Sequence, residues 1–216
     1  MNKLITLLAS CCIATSVMAA EEAKLETVKV GFDVPTLERG LDDFMTNCHS
    51  CHSLKYINYR DLIEAGIDKA KVDALRGDQP ISASLMAEMS ENDAAVAFGK
   101  APPDLSMMAK ARDGGANYVY SYLTGYYTGA DGVTGNHYYP PTKMPDILGI
   151  SSATDDAQRA KIHTTAGDIV SFLSWSADPH TAERIRLGYY VIIYLIVLTT
   201  LLYFVKKQVW SRLDKH

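Results

Sequence analysis

The sequence predicts a mainly α-helical domain with long loops, carried behind an N-terminal export signal and ending in one transmembrane helix. Three observations predict it. Apolar residues make up 48% of the 216-residue chain, yet mean hydropathy is only −0.04, because two runs near the ends hold much of the apolar content. Between them, Leu37, Leu41 and Phe44, and later Ile169, Phe172 and Leu173, recur at helical spacing. The stretch 124–153 is rich in glycine and proline and reads as a long loop. This composition excludes a strongly disordered chain, and a net charge of −4 with a pI near 5.8 excludes a basic nucleic-acid binder.

The first run has the layout of a signal peptide, residues 1–19. Lys3 supplies the positive start, Leu4 to Ala14 the apolar centre, and Val17-Met18-Ala19 a cleavage site after Ala19. It is short for a transmembrane helix. Leu8-Ala9-Ser10-Cys11 resembles a lipoprotein box, but a cut there leaves an apolar centre at the low end of the usual range.

Residues 20–178 read as the exported domain. A first helix is expected over 35–47, with shorter ones over 58–65 and 81–89 and a break at Gly77-Asp78-Gln79-Pro80. Asp104 to Ala111 and Asn117 to Leu123 read as helices flanking Gly114-Gly115, and Thr165 to Ser176 as an amphipathic helix after the loop. Asp178-Pro179 is a plausible cap and first residue of a helix over 179–210, leaving 211–216 as a tail. Within it, Leu187 to Val205 carries no charge over nineteen residues, enough to cross about 30 Å of hydrocarbon. Arg184 and Arg186 precede the run, and Lys206, Lys207, Arg212 and Lys215 follow, so the cation excess predicts a cytoplasmic C-terminus. Tyr189, Tyr190, Tyr203 and Trp210 lie near its ends, where aromatic rings favour the interface.

Charge and cysteines read differently once these segments are set aside. Lys3 is the only charge in residues 1–19 and residues 206–216 carry +3, so the exported stretch between them holds −8. Such a surface would attract a basic partner, or serve solubility alone. Cys11 and Cys12 leave with the signal, which leaves Cys48 and Cys51 in Cys48-His49-Ser50-Cys51-His52. C-x-x-C-H is the pattern of covalent c-type haem attachment. Two thiols at this spacing can add across the two vinyl groups of haem while the adjacent imidazole reaches the iron. Export agrees with it, since bacteria perform this attachment outside the cytoplasm. A zinc half-site would need ligands that no second cysteine pair supplies, and a redox dithiol lacks a surrounding βαβ pattern.

The iron needs a sixth ligand or an open position. Met107, Met108, Met144, His137, His163 and His180 are the candidates. Met144 is preferred, because Pro140, Pro141 and Pro145 stiffen its loop and can hold a thioether with little entropy loss. Sulfur ligation stabilises ferrous iron and suits an electron carrier. His137 is the next choice.

Three blocks carry a family resemblance. Residues Cys48 to Arg60, then Ala101-Pro102-Pro103-Asp104-Leu105-Ser106 continuing to Lys110-Ala111-Arg112-Asp113-Gly114-Gly115 and Tyr118, then Asp168 to Trp175 with Pro179, Glu183-Arg184 and a single membrane helix, closely resemble cytochrome c1 in its order. The resemblance implies a class I cytochrome c-like haem domain and the haem subunit of the cytochrome bc1 complex, the quinol–cytochrome c oxidoreductase. Such a subunit performs no bond chemistry alone. It takes one electron from the Rieske iron–sulfur protein and passes it to a cytochrome c, beside cytochrome b, in a dimeric complex. The setting implied is a bacterial inner membrane with the haem domain in the periplasm.

Carried over by position, Cys48 and Cys51 bind one haem c, His52 and Met144 ligate iron, Arg112 and Tyr118 contact propionates, and Pro102 and Pro103 form a wall against the ring. Between about 66 and 100 the sequence is shorter than long family members. Glu88, Glu91 and Asp93, with Glu21, Glu22 and Glu26, are therefore only candidates for an acidic docking surface. Two other functions compete: a free-standing anchored cytochrome feeding a terminal oxidase, and a c-haem enzyme or sensor with an open sixth position.

Overall fold

The computed structural model describes residues 24–213. The export signal, its cleavage site, Glu21 and Glu22 lie outside the described residues, as does the end of the C-terminal tail.

Helix α1 (Val34–Asn47) starts where Asp33 accepts a hydrogen bond from the Thr36 amide, with Pro35 in its first turn. It buries Leu37, Leu41 and Phe44 against the longest helix of the domain, α7 (Asp156–Ser176), which buries Ile169, Val170, Phe172 and Leu173. The rings of Phe44 and Phe172 meet at 5.6 Å. The two helices come closest at Gly40. A Cβ there would overlap the Asp168 carbonyl oxygen and lie 2.7 Å from Phe172 Cβ. Beside this crossing, Arg39 grips the mostly buried Asp168 through Nε at 2.8 Å and Nη2 at 3.0 Å, a two-pronged pairing. Helix α6 (Gly115–Thr124) packs on another side of α7 and contributes Val119 and Leu123 to the same core.

The helix expected over 58–65 forms as α2 (Tyr59–Glu64), and it is preceded by a strand, β1 (Leu54–Asn58). Residues 81–89, expected as a helix, contain a two-residue strand, β2 (Ser84–Leu85), antiparallel to β1. The pairing shifts register between Leu54↔Leu85 and Asn58↔Ser84, and this irregularity lets Leu54 and Ile57 both face the core at a spacing that mimics a helix. Carbonyls of Ile81 and Ala83 accept the Arg60 and Tyr59 amides, so this stretch is used as an edge. Two further helices depart from the expectation: α3 (Lys69–Arg76), capped by Asp68, and α4 (Glu91–Phe98), capped by Ser90. Gly99 ends α4 at a φ of +75°, where residues with a Cβ are strained.

Of the predicted helix over 104–111, only Met108–Ala111 forms, as α5. The glycine-rich stretch holds a hairpin of β3 (Tyr126–Thr128) and β4 (Thr134–Asn136) and a 3₁₀ turn over Ile150–Ser152. Tyr126, Ile150, Ala153 and Ile162 form a second, smaller core beneath it. Asn136 is wholly buried and organises the loop that follows: its amide donates to the Tyr122 carbonyl at 2.8 Å, and its Oδ1 accepts from the Tyr138 and Tyr139 amides. Asn136→Ala orphans all three groups, so it is expected to cost about 3 kcal/mol. Thermal unfolding of the purified protein checks this.

The last helix, α8 (Thr181–Leu213), has 33 residues and spans about 50 Å. Its apolar side chains from Leu187 to Val205 are largely exposed, and it is long and apolar enough to cross a membrane. The helix begins at Thr181 rather than at Pro179, and at its base Asp178 accepts from Lys110 at 2.5 Å and from Arg184, joining α5 to the start of α8. The Lys110 hydrogen bond is the main reason the Asp178 carboxyl lies below its ordinary value of 3.8.

Candidate haem site

The Cys-x-x-Cys-His segment folds as tight turns directly off the end of α1. The amides of Cys48 and His49 both donate to the Phe44 carbonyl, and those of Cys51 and His52 donate to the Cys48 carbonyl, at 2.8–3.1 Å. This coil places two thiols and an imidazole within one turn of chain. Cys48 is buried, Cys51 is half-buried and both are free thiols. Burial first, then the nearby Asp43 carboxyl, pushes the Cys48 thiol up to about 12.

A second segment, some fifty residues on, completes the arrangement. His52 Nδ1 lies 2.8 Å from the Pro103 carbonyl oxygen. A carbonyl can only accept, so Nδ1 carries the proton and Nε2 is left with its lone pair free for a metal. Burial also holds the imidazole below the ordinary histidine value, which favours its neutral, ligating form. Around this bond, the Leu105 amide donates to the Ser53 carbonyl, Lys55 N to Asp104 Oδ2 and Tyr56 N to Ser106 Oγ. Residues 103–106 are thus stitched along residues 52–56. Pro102 and Cys51 line the same shallow groove.

Arg112 is exposed at the end of α5, and its charge acts on the Tyr118 hydroxyl, which burial raises above the ordinary tyrosine value. Met144 is half-buried on the core cluster that includes Cys48, and so is Met108. Met107 and His137 are exposed, His137 stacking on Tyr127. His163 Nδ1 is 2.7 Å from the Tyr120 hydroxyl, and His180 sits exposed at the base of α8. Residues 87–89 lie over the attachment segment: the Glu88 and Met89 amides donate to the His49 and Ser50 carbonyls. This brings exposed Glu88 beside the motif.

Several contributors are not visible in sequence. Ser53, Asp104 and Ser106 hold the two segments together, although Asp104-Leu105-Ser106 reads along the chain as the start of a helix. His49 is buried with no hydrogen-bond partner on either ring nitrogen among the described residues. Its motif position gives no signal, since the two middle residues of C-x-x-C-H are unconstrained by the chemistry.

The donor set suits haem: paired thiols on one turn, and an imidazole with Nε2 free and Nδ1 anchored. Comparison with known proteins agrees. The Cytochrome C1 family model matches residues 24–213, the whole of the described chain. The chain belongs to the cytochrome c1 family. It is 34% identical to a cytochrome b/c1 of Bradyrhizobium diazoefficiens, over 86% of this chain but only 34% of that longer protein. It is 29% identical to a cytochrome c1 of Rhodospirillum rubrum, covering 83% of this chain and 82% of the relative. It is 31% identical to a cytochrome c1 of Allochromatium vinosum, with 83% and 85% covered. As a cytochrome c1-type haem subunit, the protein has haem c as its cofactor, and Cys48 and Cys51 are the cysteine pair present for it.

Proposed function

We propose that this member of the cytochrome c1 family is the electron-transfer subunit of a respiratory cytochrome bc1 complex, accepting one electron from a Rieske iron–sulfur protein and passing it to a cytochrome c. The observation that carries this reading is the bond from His52 Nδ1 to the Pro103 carbonyl, set within the family match. It turns a short motif into an oriented iron ligand. Bound there, haem c supplies a one-electron ferric/ferrous couple.

Each residue then has a defined task. Cys48 and Cys51 would hold the ring through thioethers, and His52 Nε2 and Met144 Sδ would ligate the iron, the soft sulfur donor favouring the ferrous state. The Arg112 guanidinium can pair a propionate in bidentate fashion, and the Tyr118 hydroxyl can donate to one. Pro102 and Pro103 present an apolar wall. Helix α8 anchors the domain beside cytochrome b in a bacterial inner membrane, the cation-rich end placing the C-terminus in the cytoplasm and the haem domain in the periplasm. The complex is dimeric.

Detergent purification of the full-length protein tests this assignment. Co-elution with a b-type haem protein and an iron–sulfur protein, with one covalent haem per chain, is the expected outcome. Recovery of a lone polypeptide in every mild detergent would instead favour the free-standing cytochrome. Rapid binding of carbon monoxide to the reduced protein at neutral pH would favour an open sixth position.

A further inference from the structure

Met144 sits in a closed ring of hydrogen bonds that begins and ends on its own peptide groups. Its amide donates to Thr142 Oγ1 at 3.2 Å. Thr142 Oγ1 is hydrogen-bonded to the Tyr122 hydroxyl. The Tyr126 hydroxyl lies 3.1 Å from the Tyr122 hydroxyl and 3.1 Å from the Met144 carbonyl oxygen. Proton counting gives the ring a direction. The Met144 carbonyl can only accept, so the single Tyr126 proton is best used there. Tyr122 then donates to Tyr126 and Thr142 donates to Tyr122. Every hydroxyl donates once and accepts once, an arrangement in which each bond polarises the next.

The supports of the ring are rigid. Tyr122 is on α6, and Tyr126 is a buried residue that opens β3. Asn136 ties the Tyr122 carbonyl to the amides of Tyr138 and Tyr139, and the Thr142 amide donates to the Tyr139 carbonyl. Met144 is thus gripped at both its N–H and its C=O, the two groups that set its backbone direction. Three prolines stiffen the rest of its loop, but Pro141 and Pro145 do not themselves touch either group through a donor.

The geometry points to Tyr126, with Tyr122 and Thr142, as positioning residues that aim the Met144 thioether by locking its peptide in place. This rests on Met144 being the sixth ligand. The role resembles that of outer-shell hydrogen bonds that orient metal ligands elsewhere, here acting through backbone rather than through the ligating side chain.

The test uses the full-length, haem-loaded, membrane-anchored protein carrying Tyr126→Phe. Two readouts report the iron–sulfur bond itself: the sulfur-to-iron charge-transfer absorption of the ferric protein and the rate of carbon monoxide binding to the ferrous protein. Tyr126→Phe should weaken the band and raise the binding rate about 10-fold, the equivalent of one lost hydrogen bond. Thr142→Val should do the same, whereas Thr142→Ser keeps the hydroxyl and should behave as the parent. Tyr127→Phe, a phenol of the same hairpin outside the ring, should leave both readouts unchanged. Should Tyr126→Phe not accumulate as folded protein, the Thr142→Val and Thr142→Ser pair carries the same comparison.

The parental band and rate in Tyr126→Phe and Thr142→Val, alongside a lost band in Met144→Leu, would overturn the positioning role and leave the ligand intact. A retained band in Met144→Leu would remove the ligand assignment and this inference with it.

Discussion

Met144→Leu is expected to lower the midpoint potential by on the order of 100 mV or more, within the wide range that axial ligands command. Leucine has nearly the volume of methionine, so the core contacts of residue 144 are preserved and the change isolates the sulfur. A thioether is a soft donor with no charge, and it stabilises ferrous over ferric iron. On the proposed ligand set, its loss would leave the His52 imidazole alone and let an exogenous ligand enter. Potentiometric titration of membranes containing the variant measures the effect. An unchanged potential would transfer the role to another sulfur, such as that of Met108 on the same core, or to a histidine.

Gly40→Ala is expected to cost about 3 kcal/mol or more, at or beyond the upper end for overpacking. The reason is geometric. The added methyl would overlap the Asp168 carbonyl and crowd Phe172 Cβ at 2.7 Å, and both belong to the backbone or root of α7. No rotamer change relieves that contact, so α1 must move away from α7. Because the attachment segment hangs from the Phe44 carbonyl at the end of α1, the displacement also reaches Cys48 and His52. Gly167 provides the comparison. It lies within α7, and a methyl added there would meet nothing within 4 Å, so Gly167→Ala should be neutral or stabilise by up to about 1 kcal/mol through helix propensity. Thermal unfolding and the yield of covalent haem protein distinguish the two. Equal stability for both variants would show that α1 and α7 are not locked at Gly40.

Legibility along the chain follows the range of the interactions involved. Helix α1 is readable because its apolar stripe and Asp33-x-x-Thr36 cap are local. The helix expected from Thr165 begins instead at Asp156, since its first turns are polar and are held by the Asp155 cap rather than by an apolar stripe. Helices α3 and α4 have readable caps in Asp68 and Ser90, but their short apolar content hides them. The expectation of a helix over 81–89 fails for a different cause: Ser84 and Leu85 are taken up by β1, a pairing across about thirty residues that no local window contains. The glycine-rich stretch reads as loop because its strands are three residues long and its hairpin is stabilised by packing on α6 and the 3₁₀ turn.

Local spacing alone points to haem chemistry and to a membrane-spanning helix. Cys48, Cys51 and His52 are three residues of one turn, and Leu187 to Val205 is one uninterrupted apolar run, so spacing alone defines both. The resemblance to cytochrome c1 was likewise carried by contiguous blocks. How those residues are aimed follows from packing between distant segments. The proton on His52 is placed by a carbonyl about fifty residues away, the Met144 carbonyl is held by the Tyr126 hydroxyl of β3, and the base of α8 is tied to α5 through Asp178. Each of these depends on hydrogen bonds between groups brought together by packing, and one-dimensional spacing holds no record of which distant donor an acceptor will meet.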